Sequence, residues 1–334
     1  MFKLINKLLT PFFITIIAMS SAVSLALADY PDKPITIMFP WAAGDPTETV
    51  MRVLGEIAKE KLGQPVVINI VQGAGGKKSL AEIAKATPDG YTLANNWVAP
   101  QIAGKLFDPN LPYDNTSFIP VAGVTAIPFT VTVIADHKAN NIQELITWAK
   151  QKGGKLNYGV CAGQSIPRLV GEQFMRSAGL DFVSVPNNTG CMGDNMTGLL
   201  NGSLDVSVGI LPATRIFAGQ VKHLGLISDV PHSLAPNLKT VKEQGVELGW
   251  GDAALGWGGL VLPKDTPEEI VVHLQNVIGE TIQSDRFKEA LGPLANMIRY
   301  VPPGEFETLW TDSMELLKPY VNEIREYDYV ELEQ

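Results

Sequence analysis

Residues 35–71 read ITIMFPWAAGDPTETVMRVLGEIAKEKLGQPVVINIV, which predicts a strand, a loop, a helix and a second strand in that order. Two short apolar runs rich in β-branched residues, Ile35–Phe39 and Val66–Val71, are typical of buried strands. Between them, a helix from about Pro46 to Leu62 has one apolar face. That face consists of Val50, Leu54, Ile57 and Ala58. A unit of this kind is typical of an α/β sheet with helices on its faces.

The first 28 residues predict a secretory signal peptide. Lys3 and Lys7 supply its positive charge, an apolar run follows over residues 8–19, and Ala26–Ala28 forms a small-residue cleavage site. We therefore expect an exported protein that begins after Ala28. An uncleaved membrane anchor is the alternative, because the apolar run is long enough to imitate a membrane span.

The alternation of strands and helices continues along the rest of the chain. Further strands are predicted at Tyr91–Ala94, Phe129–Ala135, Leu156–Val160, Phe182–Val185, Leu204–Val208, Val221–Ile227 and Trp257–Leu262. Further helices are predicted to end near Ala86 and to span about Ile142–Lys152, Pro167–Ala178, Met192–Leu200, Pro267–Gln283 and Glu305–Ile324. About 306 residues without the signal are too many for one ordinary core. We predict an α/β protein of two domains with a ligand cleft between them, each domain a mainly parallel sheet flanked by helices. Domain 1 comprises residues 29–128 and 254–334, and domain 2 comprises residues 129–253.

The charge balance argues against a nucleic-acid partner. Without the signal, Lys and Arg fall from 26 to 24 against 35 Asp and Glu, and the formal charge falls from −9 to −11. Nucleic-acid binding needs a basic face, which this balance does not provide. A small anion can still bind, because charges are screened over about 8 Å at physiological salt and local donors then decide.

Neither a metal nor a cofactor is expected. The four histidines are scattered and the two cysteines lie far apart, which is not the spacing of a metal site. The glycine-rich run Gly73–Gly76 lacks the G-x-G-x-x-G spacing of a dinucleotide site, because position 78 is lysine. A sharp turn between a strand and a helix explains this run better.

The loop before the first helix is the first candidate binding site. It runs from Pro40 to Glu48, and its small residues let a ligand approach the backbone, while the N–H groups of a helix start favour an anion. Asp45 is expected to cap the helix, with Pro46 in the first turn and Glu48 completing a capping box. A well-capped helix without a ligand is the alternative.

A second loop of the same kind follows a later strand. Residues 161–168 place Ser165 at a helix start, and Arg168 either holds a carboxylate through two hydrogen bonds or is a solvated surface residue. The pairs Asn95-Asn96 and Asn187-Asn188 follow two other strands. In parallel sheets ligands bind beyond the carboxyl ends of the strands, where all four segments are predicted to lie.

Cys161 and Cys191 are the two cysteines of the chain, and two interpretations of them are open. In an oxidising compartment they could form a disulfide, or they could remain reduced and buried. Gly159–Gly163 also fits a G-x-C-x-G nucleophile elbow, so an α/β hydrolase with a cysteine nucleophile is the enzymatic alternative. None of the histidines stands in a motif that would supply its base.

Taken together, the chain resembles the extracytoplasmic solute receptors of the tripartite tricarboxylate transporter family, the Bug or TctC-like proteins. The resemblance covers essentially the whole mature sequence and rests on Tyr30–Ile35, Pro40–Pro46, Leu62–Val67, Gly73–Gly76, Asp89–Leu93, Ala178–Asp181, Val185-Pro186, Leu199–Asp205 and Gly258–Pro267. It implies a non-enzymatic, periplasmic two-domain receptor of the Venus-flytrap, type II-like class. Such a receptor delivers a small carboxylate to a permease with large and small membrane subunits. Alternatively, the ligand-bound receptor would contact the periplasmic domain of a sensor kinase and would serve signalling.

The resemblance also implies which residues bind the ligand, mainly through backbone amides of the two loops. By match they are Trp41, Ala42, Ala43, Gly44, Asp45, Thr47, Gln164, Ser165, Ile166 and Arg168. Asn96 and Asn188 are added as candidates because they follow two strands at the predicted edge of ligand binding. Three positions depart from the family pattern: Asp45 stands where glycine is usual, Arg168 where histidine is usual, and Asn187-Asn188 where a tyrosine and a basic residue are usual. The Asp45 carboxylate would oppose an anion, so a cationic or zwitterionic ligand is an alternative to a simple carboxylate.

Overall fold

The computed structural model describes residues 30–161, 165–187, 192–211, 217–249 and 256–332, and their strands form two sheets. The first sheet contains β1 (Ile35–Phe39), β2 (Val66–Ile70), β3 (Thr92–Trp97), β4 (Phe118–Ile127), β10 (Gly256–Pro263) and β11 (Ile298–Val301), in the spatial order β11–β4–β10–β3–β1–β2. The second contains β5 (Phe129–Ile134), β6 (Leu156–Cys161), β7 (Phe182–Asn187), β8 (Val206–Ile210) and β9 (Val221–Ile227), in the order β7–β6–β8–β5–β9. Each sheet with the helices packed on it is called a lobe below.

Helices flank both sheets, which confirms the predicted α/β class. They are α1 (Pro46–Leu62), α2 (Lys77–Ile83), α3 (Gly104–Phe107), α4 (Ile142–Lys152), α5 (Ile166–Ser177), α6 (Met192–Leu200), α7 (Glu268–Gln283), α8 (Asp285–Leu291) and α9 (Pro303–Leu332). The sequence pattern missed β4, β11, α3 and α8. Within the described ranges, no helix combines the length and the apolar character needed to cross a membrane.

Both sheets are mixed, which corrects the expectation of mainly parallel sheets. In the first sheet β1 is parallel to β2 and β3, whereas β10 is antiparallel to β3 and β4. In the second sheet β6 is parallel to β7 and β8, whereas β5 is antiparallel to β8 and β9. The route of the chain explains this: β4 leads through Pro128 into β5, and β10 brings the chain back to the first sheet. β4, which leads out of the first sheet, and β10, which returns to it, therefore run in opposite directions.

The strands divide between the sheets by sequence position. Those of the first sheet come from residues 35–127 and 256–301, and those of the second from residues 129–227. The domain boundaries themselves stay a prediction, because residues 250–255, where the chain returns, lie outside the described residues.

The last helix packs aromatic side chains on a glycine-lined part of the first sheet. Phe306 is fully buried, and its ring centroid lies 5.4 Å from that of Trp257 and 5.2 Å from that of Trp310. A Cβ atom added to Gly259 would come within 2.5 Å of the Phe306 ring, so glycine is required at this close approach. Further along, α9 contacts α5 of the second lobe. The helix therefore packs on both lobes.

An apolar cluster also joins the two lobes. This junction cluster consists of Trp97, Ile127, Leu211, Leu226, Leu234 and Met297. Three of its members come from the first lobe and three from the second, at or beyond the ends of β8 and β9. Apolar burial therefore holds the lobes together where the chain crosses between them.

His232 adds polar contacts at the same junction. Its Nε2 donates to the carbonyl of Ala126 in β4 at 3.1 Å, and its Nδ1 accepts from the N–H of Leu234 at 3.1 Å. These partners, a carbonyl and an amide, require the neutral imidazole with the proton on Nε2. The neighbouring Ser233 hydroxyl donates to the carbonyl of Asn296 in the first lobe at 3.0 Å.

Acidification is expected to destabilise this junction. Burial lowers the pKa of His232, and Arg299 lowers it further, although the bond to Ala126 acts in the opposite direction. The folded protein therefore binds fewer protons here than the unfolded chain, whose histidine pKa is about 6.5. The stabilisation is fully present above about pH 6.5 and is lost as the pH falls through the lower folded value. His137, whose pKa burial and Lys222 also lower, adds to the trend.

Urea unfolding between about pH 7.5 and 5.5 measures this effect. We expect the free energy of unfolding to fall with pH, and His232→Gln to make the dependence shallower because it removes one titrating group. An equal pH dependence in the variant and the wild type would contradict the assignment.

Candidate functional site

The carboxyl ends of the parallel strands bring the first candidate loop and the second lobe to one region. β1, β2 and β3 end at the same edge of the first sheet, and β6, β7 and β8 end at the same edge of the second. Trp41, just after β1, packs against Trp97 at the end of β3, with ring centroids 6.1 Å apart. Trp41 and Ile210, the last residue of β8, both contact the junction cluster. The carboxyl edges of the two sheets therefore meet beside the junction.

The first loop is held in place by the predicted helix cap at the start of α1. Asp45 is the N-cap, and its carboxylate accepts from the N–H of Thr47 at 2.8 Å and from the hydroxyl of Thr47 at 2.5 Å. Pro46 occupies the first turn, where its missing N–H costs nothing. Thr47 is thereby buried within the cap, where its side chain supports the loop, and its contact with a ligand stays a prediction.

Glu48 closes the loop in a different way from the predicted capping box. Its carboxylate accepts from the N–H of Gly44 at 2.7 Å, one residue before the cap, and from Arg52 Nε at 2.8 Å. The N–H of Gly44 and the Arg52 guanidinium hold the pKa of the Glu48 carboxyl below its usual range. In a capping box Glu48 would bond the N–H of the cap residue, Asp45. That N–H donates to the carbonyl of Ala42 at 3.2 Å, so Glu48 bonds the preceding N–H instead.

Two amides at the tip of this loop point to a binding function. Ala42 and Ala43 are exposed, and within the described residues their N–H groups have no hydrogen-bond acceptor. The N–H groups that follow are taken up by Glu48, Ala42 and Asp45. Two adjacent amide donors in the loop before a helix can both donate to one carboxylate group of a ligand.

Trp41 lies beside these amides and is half-buried. Its carbonyl accepts from Gln72 Nε2 at 3.3 Å, and its ring contacts both the first-lobe core and the junction cluster. Trp97 is more deeply buried, and its Nε1 donates to the Asn95 side chain at 2.7 Å. Of the two tryptophans, Trp41 is therefore the one that can contact a ligand.

Asn96 has a buried side chain with partners inside the first lobe, and its binding role stays a prediction. Its side chain has no exposed surface, its amide nitrogen bonds the Gln101 side chain, and its oxygen accepts from the N–H of Trp97 at 2.8 Å. The reason is its position in β3, a central strand that lies between β1 and β10 and is buried at every residue after Thr92. Asn95 is buried in the same way.

The second loop is described from Ser165 onward. Ser165 caps α5 and accepts from the N–H of Arg168 at 3.4 Å, while Ile166 is buried beneath the first turn. The Tyr158 hydroxyl donates to the carbonyl of Pro167 at 3.0 Å and so fixes this turn to β6. Gly171 makes room for the tyrosine, because a Cβ atom there would lie 1.7 Å from its hydroxyl oxygen.

Arg168 is neither solvated nor on the outer face of the helix, which rules out the surface alternative. Its side chain is 17% exposed, and its Nε donates to Glu172 Oε1 at 2.8 Å. Glu172 is 3% exposed and also accepts from Arg176 Nη2 at 3.3 Å and from the Ser184 hydroxyl at 2.8 Å. The sequence reading missed Glu172, although arginines four residues before and four residues after it were a visible signal.

Several predicted positions lie outside the described residues. Gln164, Asn188 and Cys191 are among them, and only the backbone of Cys161 is described, so the disulfide and the binding roles of Gln164 and Asn188 stay predictions. Within the described residues, no group of three or more His, Cys, Asp or Glu side chains is placed to hold a metal ion.

Comparison with known proteins shows the family of the chain. The family described as the tripartite tricarboxylate transporter family receptor matches residues 50–308. A UPF0065 protein of Bordetella pertussis is 30% identical over 296 residues, which cover 87% of each chain.

Solved structures agree with this match. The periplasmic binding protein BugD is 26% identical, with a TM-score of 0.69, over 89% of this chain and 98% of its own. MatC of Rhodopseudomonas palustris, solved with bound malate, shares the fold at 23% identity and a TM-score of 0.71, over 87% of this chain and 100% of its own. The predicted two-domain periplasmic binding fold is thus confirmed, and the chain belongs to the tripartite tricarboxylate transporter family of periplasmic receptors.

Proposed function

We propose that this protein captures a small organic carboxylate between its lobes and delivers it to the large and small membrane subunits of a tripartite tricarboxylate-type permease. The observation that carries the proposal is a pair of helix-start loops, one at the carboxyl edge of each sheet. The first carries the N–H groups of two exposed residues, Ala42 and Ala43, and the second carries Arg168 in the first turn of α5. Ligands of open α/β sheets bind at this edge.

Each of the two loops binds a different group of the ligand. One carboxylate group of the ligand accepts from Ala42 and Ala43, and the Arg168 guanidinium binds another through charge-assisted hydrogen bonds. Trp41 packs on the carbon chain between them, which adds apolar contact area. Gly44 and Asp45 shape the first loop, Ser165 and Ile166 the second, and Gln164 and Asn188 supply further polar contacts. Because contacts are made to both lobes at once, the ligand favours the closed form.

We infer that the protein is not an enzyme, and the surroundings of its histidines support this. His137 packs on the Trp148 ring, His223 Nδ1 lies 3.1 Å from the Thr132 hydroxyl, and His273 packs on Tyr30. His232 bonds Ala126 at the junction. These partners of the four histidines lie outside the second loop, where a cysteine nucleophile would need its base.

A thermal-shift screen of the mature protein tests the proposal. The panel contains malate first, then other mono-, di- and tricarboxylates, amino acids and amino-acid amides. A ligand at about 100 times its dissociation constant stabilises the folded state by about 2.7 kcal/mol. We expect a stabilising hit among the dicarboxylates. Stabilisation by none of the carboxylates would overturn the proposal.

Asp45→Asn tests the charge of the ligand. Asparagine caps a helix as well as aspartate does, so we expect the free energy of unfolding to change by less than about 0.5 kcal/mol. Loss of the negative charge should strengthen dicarboxylate binding by about 0.5 kcal/mol, as for charges about 8 Å apart in water. Isothermal titration calorimetry measures this difference.

The capping role has its own control, Asp45→Ala, which should lower the free energy of unfolding by about 1 kcal/mol. Weaker ligand binding by Asp45→Asn would mean that the carboxylate contacts a cationic group. That result would favour the zwitterionic ligand over the simple carboxylate.

A further inference from the structure

We propose that Glu172 is a positioning residue that orients the Arg168 guanidinium for the ligand, an inference that rests on the proposed function. Arg168 stands in the first turn of α5, where the helix dipole disfavours a positive charge. Glu172 lies one turn further along the same helix and bonds Arg168 Nε at 2.8 Å. A nearly buried carboxylate thus compensates a cation in an unfavourable place.

The carboxylate of Glu172 is itself held from three directions. Besides Arg168, it accepts from Arg176 Nη2 at 3.3 Å and from the Ser184 hydroxyl in β7 at 2.8 Å. The bond to Ser184 ties the carboxylate to the sheet, so its position does not depend on the helix side chains alone. A group fixed in this way can fix the plane of the guanidinium bonded to it.

Fixing that plane matters because a guanidinium is flat and carries five N–H donors in set directions. The bond to Glu172 uses Nε–H and sets the directions of the Nη donors. A long side chain that is already ordered loses less conformational freedom when the ligand binds, and this preorganisation increases affinity.

The negative charge of Glu172 by itself lowers the affinity for the ligand, because it repels an anion. The carboxylate is bonded to two guanidinium groups, so much of its charge is compensated locally. We therefore expect the gain from orientation to exceed the repulsion. Glu172→Gln keeps the size of the side chain and one acceptor oxygen, and it removes the charge that holds Arg168.

A double-mutant cycle tests the inference by calorimetry with malate, or with the best dicarboxylate of the panel. We expect Glu172→Gln to weaken binding about tenfold in the wild-type background and to have no further effect in an Arg168→Ala background. Ser184→Ala, which loosens the carboxylate without changing charge, should weaken binding about twofold, again only when Arg168 is present.

The matched control is Asp205→Asn, at the opposite edge of the second sheet. Asp205 also has a mostly buried carboxylate paired with a cation, Lys152, and it precedes β8. The Asp205→Asn substitution should leave the affinity for the dicarboxylate unchanged. Melting temperatures of all variants show whether each is folded, and Ser184→Ala carries the test if Glu172→Gln is not.

The results separate this inference from the proposed function. A wild type that binds no carboxylate overturns both. If the wild type binds a carboxylate, either of two results overturns the positioning role alone. One is unchanged or tighter binding by Glu172→Gln, and the other is an equal loss of affinity in both backgrounds.

Discussion

Replacing Phe306 with alanine is expected to lower the free energy of unfolding by about 3–5 kcal/mol, the usual cost of deleting a buried aromatic side chain. The ring is fully buried between Trp257, Trp310 and the backbone of Gly259. Because the neighbouring glycines have no side chains that could fill the space, a cavity should remain next to the sheet. Urea unfolding followed by circular dichroism measures the loss.

The matched control is Val272→Ala on α7, where the side chain is 45% exposed. It should change the free energy of unfolding by no more than about 0.5 kcal/mol. A similarly small change for Phe306→Ala would mean that α9 can repack, and it would contradict the role of this ring in holding the helix on the sheet.

Replacing Arg168 with alanine is expected to weaken dicarboxylate binding by about 1.5–3 kcal/mol, which is the range for a lost hydrogen bond to a charged group. The side chain is mostly buried and anchored by Glu172, so its loss removes an ordered donor. Isothermal titration calorimetry with malate, or with the best dicarboxylate of the panel, gives the difference.

Lys152→Ala serves as the control for charge alone. Lys152 is also a cation of the second lobe, but it pairs with Asp205 at the opposite edge of the sheet. Its removal should leave the affinity unchanged apart from long-range effects that salt screens. An unchanged affinity for Arg168→Ala would assign this arginine a structural role with Glu172 and would remove it from the binding site.

Much of the first candidate loop could be predicted from sequence because caps are local. Asp45 and Pro46 determine the start of α1 through atoms within a few residues, and both were identified correctly. Glu48 was expected to bond the cap and instead bonds Gly44, because the hydrogen bond from Asp45 to Ala42 moves the backbone donor by one residue. Asn96 shows the limit of this approach: a polar residue after a strand usually faces solvent, and neighbouring strands bury this one.

The α/β class, the order of most elements and the family could be predicted from the order of residues, because apolar periodicity, helix caps and motif order are all encoded within short stretches of the chain. Tertiary structure alone decided the directions of β4 and β10, the burial of Asn96, the tether from Ser184 to Glu172 and the contact of His232 with Ala126. Each of these joins segments that are distant in sequence or depends on which strands lie beside each other. Their energies arise only when both partners are brought together, so no local pattern of residues reveals them.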